Sequence, residues 1–390
     1  MTAPRGFRPA GRMERLPEQF FAALTRKAAQ LAAQGRDVIN LGQGNPDLPT
    51  PPHIVAALKE AVDDPATHRY GPFRGLPELR AAICEYYARE FGVTLDPDEE
   101  VAILFGGKAG LVEISLCLLE EGDVALVPDP GYPDYWSGIA LAGGAMHTLP
   151  LREENAFRPD YSDVPADVWE RARLLFLNYP NNPTAAVATP EMFAETVRLA
   201  ARHGFAVAHD FAYGAISFAG PAPSFLQTPG AKDVGVEFYT LSKTYNMAGW
   251  RVGFAVGNRR IVQLLNVVQD HCYVSLFPAV QRAAAAALRG DQACAKQLRE
   301  VYRARQERFL SALARGGWRV LPAPGSFFVW LPAPAGSSSV LWANRLLEEE
   351  GVVVAPGAGF GAGGEGYIRI GLLADGEVLE EAARRMLRLL

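Results

Sequence analysis

Lysine is scarce in this 390-residue chain: Lys27, Lys59, Lys108, Lys232, Lys243 and Lys296 are the only ones among 38 basic residues. Chemistry that needs a primary amine therefore has few candidates. Cysteine is scarcer still, with four residues, Cys84, Cys117, Cys272 and Cys294. None forms a CxxC pair and no histidine stands at metal-finger spacing from them. A zinc framework is excluded, no metal site is expected, and free buried thiols in a reducing compartment follow. No apolar run approaches the ~20 residues of a membrane span. Residues 1–16 carry Arg5, Arg8, Arg12 and Arg15 but no apolar core of a secretory signal. No Lys/Arg block stands out against a net charge of −5, so nucleic acid and anionic membranes find no electrostatic footprint. The expectation is a soluble, cytoplasmic protein that works on small molecules.

Hydrophobic residues at 49% and charged residues at 21% are ordinary globular values, which sets disorder and fibrous repeats aside. The length calls for more than one small core. Residues 17–34 have the spacing of an amphipathic helix, with Phe20, Phe21, Leu24, Ala28 and Leu31 on one face. After a short apolar run at 38–41 and a Gly/Pro loop, helices are expected near 53–62 and 76–91. From residue 101 the pattern changes to apolar β-rich runs at 101–105, 124–127, 174–177, 205–208, 237–241 and 254–256, with helices such as 111–119 and 191–202 between them. Such alternation predicts an α/β fold, a mostly parallel central sheet sandwiched by helices. Two or three long helices from 261 to about 315 precede a smaller α+β segment with strands at 318–321, 327–331, 352–355 and 367–370. The expected division is an N-terminal arm with part of a small domain (1–45), a large domain (46–285) and the rest of the small domain (286–390).

Chemistry-bearing residues gather at the predicted strand ends, where α/β folds place ligands. Lys243 ends the run 236–241 within Thr240-Leu241-Ser242-Lys243-Thr244-Tyr245-Asn246. An apolar, hydroxyl-rich setting can lower an amine's pKa enough to form an imine, although an edge-strand lysine in solvent fits as well. Thr240, Ser242 and, eight residues after the lysine, Arg251 could hold a phosphate. The glycine-rich turn Gly106-Gly107-Lys108-Ala109-Gly110 feeds a helix N-terminus, an anion site or a packing device. Asp210 closes a strand and could pair with a pyridine nitrogen or cap a helix. Tyr213 stands three residues on. Asn182, in Asn178-Tyr179-Pro180-Asn181-Asn182-Pro183-Thr184, could donate to a phenolic oxygen or serve as a turn former. Tyr132, in Asp129-Pro130-Gly131-Tyr132-Pro133, could stack on a ring. An amine, a phosphate cradle, a carboxylate, a hydroxyl partner and a ring wall are what an aldehyde cofactor such as pyridoxal 5'-phosphate requires.

Asn182-Pro183-Thr184, Asp210-x-x-Tyr213, Ser242-Lys243, Arg251 and the late Arg369 also resemble, in order, the pattern of class I aminotransferases of fold type I. The likeness runs from Gly42-Gln43-Gly44-Asn45-Pro46 to Tyr367-Ile368-Arg369-Ile370, and the block from Ser242 to Arg251 is longer than chance allows. The resemblance implies that Lys243 is the Schiff-base lysine and proton shuttle, and that Asp210 pairs with the ring nitrogen. It implies that Asn182 and Tyr213 flank the phenolic oxygen, that Tyr132 stacks, and that Gly107, Lys108, Thr240, Ser242 and Arg251 bind the phosphate, the first two by backbone. Arg369 would clamp the substrate carboxylate, with Gly42 and Asn182 nearby. Tyr70 would reach the phosphate of a neighbouring subunit, which makes the active unit a homodimer with shared sites acting on amino acids and 2-oxo acids. The stretches 38–47, 101–108, 127–138 and 239–258 are similar to the Bacillus-type branch that serves methionine salvage, which implies transamination of 4-methylthio-2-oxobutanoate to methionine. Ala185 departs from the usual glycine after Asn-Pro-Thr, and Ala109 from the usual Thr, Gln or Glu. A β-eliminating lyase is a rival on the same cofactor. A regulator on the same fold is disfavoured, because the stretch before Leu41 shows no helix-turn-helix and no basic patch.

Overall fold

The computed structural model describes residues 7–17, 20–218 and 220–390. The side chains of residues 18–24, among them Phe20, Phe21 and Leu24 of the expected helix face, lie outside the described set, as does Arg5. Seven strands form one sheet in the order Val101–Leu104, Gly253–Gly257, Gly235–Thr240, Ala206–Asp210, Ala172–Asn178, Val124–Asp129, Ala145–Pro150. All run the same way except Gly253–Gly257, which is antiparallel to both neighbours. The sheet is covered on both faces, with successive residues of a strand facing opposite ways. Ala102 and Leu104 pack with Leu111, Ile114, Tyr135 and Ile139. Val101 and Ile103 face the opposite way, into the larger cluster that includes Leu79, Ile83, Phe193 and Val197. Burial on both sides is why the strands read as continuous apolar runs.

The expected helices are present as Phe20–Ala33, Pro52–Asp63, Pro77–Phe91, Pro190–His203, Arg259–Cys272, Pro278–Arg289 and Ala293–Arg315. Proline at the first turn and capping side chains set their starts: Thr189 accepts from the Met192 N–H, and Asn258 from those of Arg260 and Ile261. The helix expected at 111–119 begins at Gly107, so Lys108 sits in its first turn. Gly106, at φ 83°, makes that sharp entry. Helices Asp134–Ala142, Ser339–Glu350 and Gly376–Leu387 and the edge strand Ala145–Pro150 complete the fold. That strand is mostly exposed and its apolar residues are interrupted by His147 and Thr148, which an edge tolerates and which hides it from an apolar-run reading.

The small α+β unit is built from both ends of the chain. Ile39–Asn40 pairs in parallel with Val352–Val353, and Phe328–Pro332, Tyr367–Gly371 and Ala355–Pro356 form an antiparallel sheet. Leu41, Phe309, Trp318, Trp342, Leu346 and Ile370 share its core. Two expectations are corrected here. Residues 318–321 form no strand: the Trp318 N–H closes the preceding helix on the Leu313 carbonyl, and its indole N–H donates to Pro332 at 3.0 Å. The run 352–355 is not one strand but parts of two, belonging to different sheets. Among the described residues no helix is long and apolar enough to cross a membrane.

Candidate active site

A cavity of about 630 Å³ opens at the carboxyl ends of the parallel strands. Asn178, Asp210 and Phe238 lie in register there, which brings three loops to one place. The single antiparallel strand matters as much. Because Gly253–Gly257 runs the other way, its first residues, not its last, lie at this edge. Arg251, just before it, is carried into the same cavity as Lys243.

Lys243 stands on a one-turn helix, Leu241–Thr244, immediately beyond the strand end where the sequence placed it. The Thr240 hydroxyl caps the turn by accepting from the Ser242 N–H. Tyr239 and Thr244 hydroxyls, 2.8 Å apart, fasten it below. The amine reaches into the cavity and donates to the Gly44 carbonyl at 2.6 Å. Burial, then the positive charges of Arg369 and Arg251, push its pKa down to about 8. It is therefore nucleophilic far closer to neutrality than an ordinary lysine.

Asp210 is the last residue of its strand and is buried. It caps no helix: its carboxylate accepts from the Tyr135 hydroxyl at 2.8 Å and from the Ala212 N–H at 3.3 Å. Desolvation raises its pKa to about 6, opposed by the Tyr135 bond and by the charges of His209 and Lys243. Asn182 accepts from Arg369 Nη1 at 2.8 Å through its carbonyl oxygen, leaving the amide nitrogen to donate into the cavity. Its own N–H is fixed by Asn178 at 2.7 Å. Tyr213 lines the cavity edge-on to Phe327 and Phe328. Burial pushes its hydroxyl pKa up, so it stays a donor.

At the other end, Thr240 donates to Ser242 at 2.8 Å, and Gly107, Lys108 and Arg251 complete a cationic corner. Two glycines keep it open. A Cβ at Gly106 would lie 2.5 Å from Arg251 Nη2, and one at Gly253 would lie 2.8 Å from the Gly107 nitrogen. Lys108 pairs with Asp134 at 2.9 Å, and Tyr132 hydrogen-bonds the same carboxylate. Tyr132 presents its ring to the cavity, edge-on to Tyr135.

Arg369, on strand Tyr367–Gly371, lies between the Phe328 and Phe360 rings, 4.1 and 4.7 Å from their centroids. It donates to the Gly42 carbonyl at 2.8 Å, and burial pushes its pKa down to about 10. The cavity thus sets two buried carboxylates, Asp210 and Asp134, against Lys108, Lys243, Arg251 and Arg369, a balance suited to a ligand with two anionic groups.

Tyr70 alone of the expected site residues is absent from this lining; it is 88% exposed. Of the nearby aromatics, Phe328 lines the cavity, Phe327 packs edge-on to Tyr213, and Phe73 is exposed and outside the lining. Sequence reasoning missed Tyr135, Asn178, Gly44 and Phe360. Tyr135 and Gly44 act on Asp210 and Lys243, 75 and 199 residues away, and Asn178 and Phe360, although they also touch nearer residues, gain their roles only where the fold brings Asp210 and Arg369 beside them. Ala185 takes φ 64° and is fully buried. That left-handed backbone costs an alanine roughly 1 kcal/mol, and burying its methyl group offsets about as much. The missing glycine is thereby tolerated.

Comparison with known proteins agrees with this geometry. Residues 36–386 match the model of the family "Aminotransferase class I and II". The chain is 56% identical, over 96% of its length and 94% of the relative's, to the L-glutamine–4-(methylsulfanyl)-2-oxobutanoate aminotransferase of Bacillus subtilis. It is 46% identical to the LL-diaminopimelate aminotransferase of Syntrophobacter fumaroxidans, over 98% of this chain and 99% of that one. A substrate-bound BacF structure from Bacillus subtilis superposes with a TM-score of 0.95 at 45% identity, covering 99% of this chain and 98% of that one. With the match spanning nearly the whole chain and an amine, a carboxylate and two guanidiniums converging in one cavity, the protein belongs to the class I and II aminotransferases and is an aminotransferase.

Proposed function

We propose that the chain binds pyridoxal 5'-phosphate on Lys243 and transaminates 4-methylthio-2-oxobutanoate to methionine. The observation that carries the cofactor half is the meeting of Lys243, Asp210 and Arg251 in one cavity whose glycines leave the phosphate corner open. The donor set fits the group: an amine with a depressed pKa, a buried carboxylate, and a cationic corner of hydroxyls and N–H groups. When bound, pyridoxal phosphate supplies the aldehyde that takes up the amino group and the conjugated ring that spreads the charge left at the substrate α-carbon. Lys243 Nζ would take the covalent attachment through that aldehyde, with loss of water, and would carry the proton at that carbon. Asp210, ionised above about pH 6, would hold the ring nitrogen protonated. Asn182 and Tyr213 would donate to the phenolic oxygen, and Tyr132 would wall the ring. Thr240, Ser242, Arg251 and the N–H groups of Gly107 and Lys108 hold the phosphate at the helix N-terminus. Arg369 clamps the substrate carboxylate, its guanidinium fixed by Asn182, Gly42 and two aromatic faces.

Arg251→Ala removes a charge-assisted phosphate contact worth about 2 kcal/mol, so the dissociation constant for pyridoxal phosphate should rise roughly 30-fold. Titration of the apoenzyme reads this directly, and unchanged affinity would take Arg251 out of the cradle.

The substrate half is supported by the Bacillus subtilis relative and by the wall facing Arg369, which is aromatic, Phe328 and Phe360, with no second arginine beside it among the described residues. A thioether chain fits such a wall, whereas a distal carboxylate would be buried without a partner. The test is kcat/KM for 4-methylthio-2-oxobutanoate, oxaloacetate and phenylpyruvate with glutamine, glutamate and a branched-chain amino acid as donors. A preference of roughly 100-fold over oxaloacetate is expected. Preference for oxaloacetate sinks the assignment, and equal rates with phenylpyruvate leave a broad aromatic and aliphatic aminotransferase. Release of ammonia and pyruvate from a cysteine conjugate would instead identify a C–S β-lyase.

A cytoplasmic homodimer with shared sites completes the reading. Tyr70, Phe73, Tyr273 and Phe277 are all exposed, and Gly71 packs against Ser275 and Pro278, so the two segments that carry them meet and offer aromatic surface to a second copy. Division into 1–45, 46–285 and 286–390 belongs to the same proposal.

A further inference from the structure

Behind the strand that ends in Asp210 lies a buried polar cluster that takes no part in lining the cavity. His209 and Glu237 stand opposite each other on neighbouring strands, both 0% exposed. His209 Nδ1 is 2.8 Å from Glu237 Oε2, and Nε2 is 3.1 Å from the Tyr179 carbonyl. Three more donors converge on Glu237: the Tyr87 and Ser224 hydroxyls, each 2.8 Å from Oε1, and the Phe225 N–H, 2.7 Å from Oε2. With His209, four partners meet its two oxygens, which fills the accepting capacity of a carboxylate. A ring set between a carboxylate and a carbonyl satisfies both by donating from both nitrogens, as the imidazolium.

A buried ion pair adds little net stability compared with a well-packed apolar replacement, so stability alone does not account for it. Its neighbours do. His209 adjoins Asp210 in the chain, and its other nitrogen grips the carbonyl of Tyr179, three residues before Asn182. Asn178 ties the same two segments together, donating to the Asp210 carbonyl at 2.7 Å and accepting from the Asn182 N–H at 2.7 Å.

We propose that Glu237 and His209 are positioning residues for the reaction: the pair locks the strand end bearing Asp210 to the turn bearing Asn182 and sets a positive charge behind the Asp210 carboxylate. This rests on the reading of the cavity as a pyridoxal phosphate site. Removing the pair lets carboxylate and amide drift relative to the cofactor ring and weakens the ionised form of Asp210.

The experiment compares the parent with Glu237→Gln and with the uncharged double variant Glu237→Gln/His209→Phe, whose new ring meets Phe193, Phe211 and Phe225. For each, the apoenzyme Tm, the dissociation constant for pyridoxal phosphate and the pH midpoint of the reconstituted protein's visible absorbance are measured. The double variant should regain the parental Tm to within about 3 °C. Both variants should bind the cofactor about tenfold more weakly, with the midpoint shifted by roughly half a pH unit. A double variant with parental Tm, affinity and midpoint overturns the proposal. If the parent itself binds no pyridoxal phosphate, the reading of the cavity fails instead. Should neither variant fold, histidine-selective nitrogen-15 spectra of the parent decide: a His209 ring carrying protons on both nitrogens upholds the pair, and a ring carrying one overturns it.

Discussion

Lys243→Ala should lose roughly four orders of magnitude or more in kcat and all borohydride-reducible attachment of pyridoxal phosphate. The size follows from what the amine would do twice, holding the cofactor covalently and carrying the proton at the substrate α-carbon. No other lysine can take over. Lys108 lines the same cavity, but its ammonium is paired with Asp134 at 2.9 Å and it stands in the first turn of the helix that starts at Gly107. The substitution removes one donor from the Gly44 carbonyl, a loss of about 1 kcal/mol that should leave the circular dichroism of the apoenzyme unchanged. A reducible adduct in the variant, located on Lys108 by peptide mapping, would move the role there.

The same amine sets a pH dependence. Its pKa in the fold is about 8 against 10.5 for an ordinary lysine. The rate at which apoenzyme takes up pyridoxal phosphate should rise about tenfold per pH unit up to about 8 and level off above, because the neutral amine is the nucleophile. The stability of the apoenzyme carries the matching signature. Between pH 8 and 10.5 the unfolded chain binds more protons at this lysine than the folded one does, so its contribution rises with pH across that window. Uptake that keeps accelerating beyond pH 10 would show that Lys243 is not desolvated.

Asp210→Asn comes second in expected effect. Asparagine keeps the volume and the one oxygen needed for the 2.8 Å Tyr135 bond, gives up the longer bond from the Ala212 N–H to the other oxygen, and removes the charge. The ring nitrogen loses the partner that holds its proton, and kcat should fall by about 10² to 10³ while the fold and the apoenzyme Tm stay close to the parent. Stopped-flow measurement of each half-reaction isolates the proton-transfer step where the loss should lie. A variant with near-full activity would leave Asp210 only the task of orienting Tyr135.

Much of this site was legible in the sequence because its residues sit where local patterns change. Lys243, Asp210, Asn182 and Tyr132 each follow an apolar run that must end at the sheet edge, and the turn chemistry around them is local. The elements that escaped have the opposite character. Strand Ala145–Pro150 is an exposed edge with no apolar run, and the two short strands at Val352–Val353 and Ala355–Pro356 looked like one because only their partners distinguish them.

The sequence by itself determined the class of fold, the scarcity of amines that singles out Lys243, and the candidates at each strand end, since burial period and turn residues are properties of neighbouring positions. The tertiary structure alone decided which of them meet. Gly253–Gly257 runs against its neighbours and so delivers Arg251 to the lysine's end of the sheet. Ile39–Asn40 pairs with Val352–Val353 and so brings Gly42 to Arg369 across the length of the chain. Tyr135 reaches Asp210, and Ala185 adopts a backbone that glycine would normally take. These depend on strand direction, register and the closure of long loops, and no local pattern encodes the partner of a residue three hundred positions away.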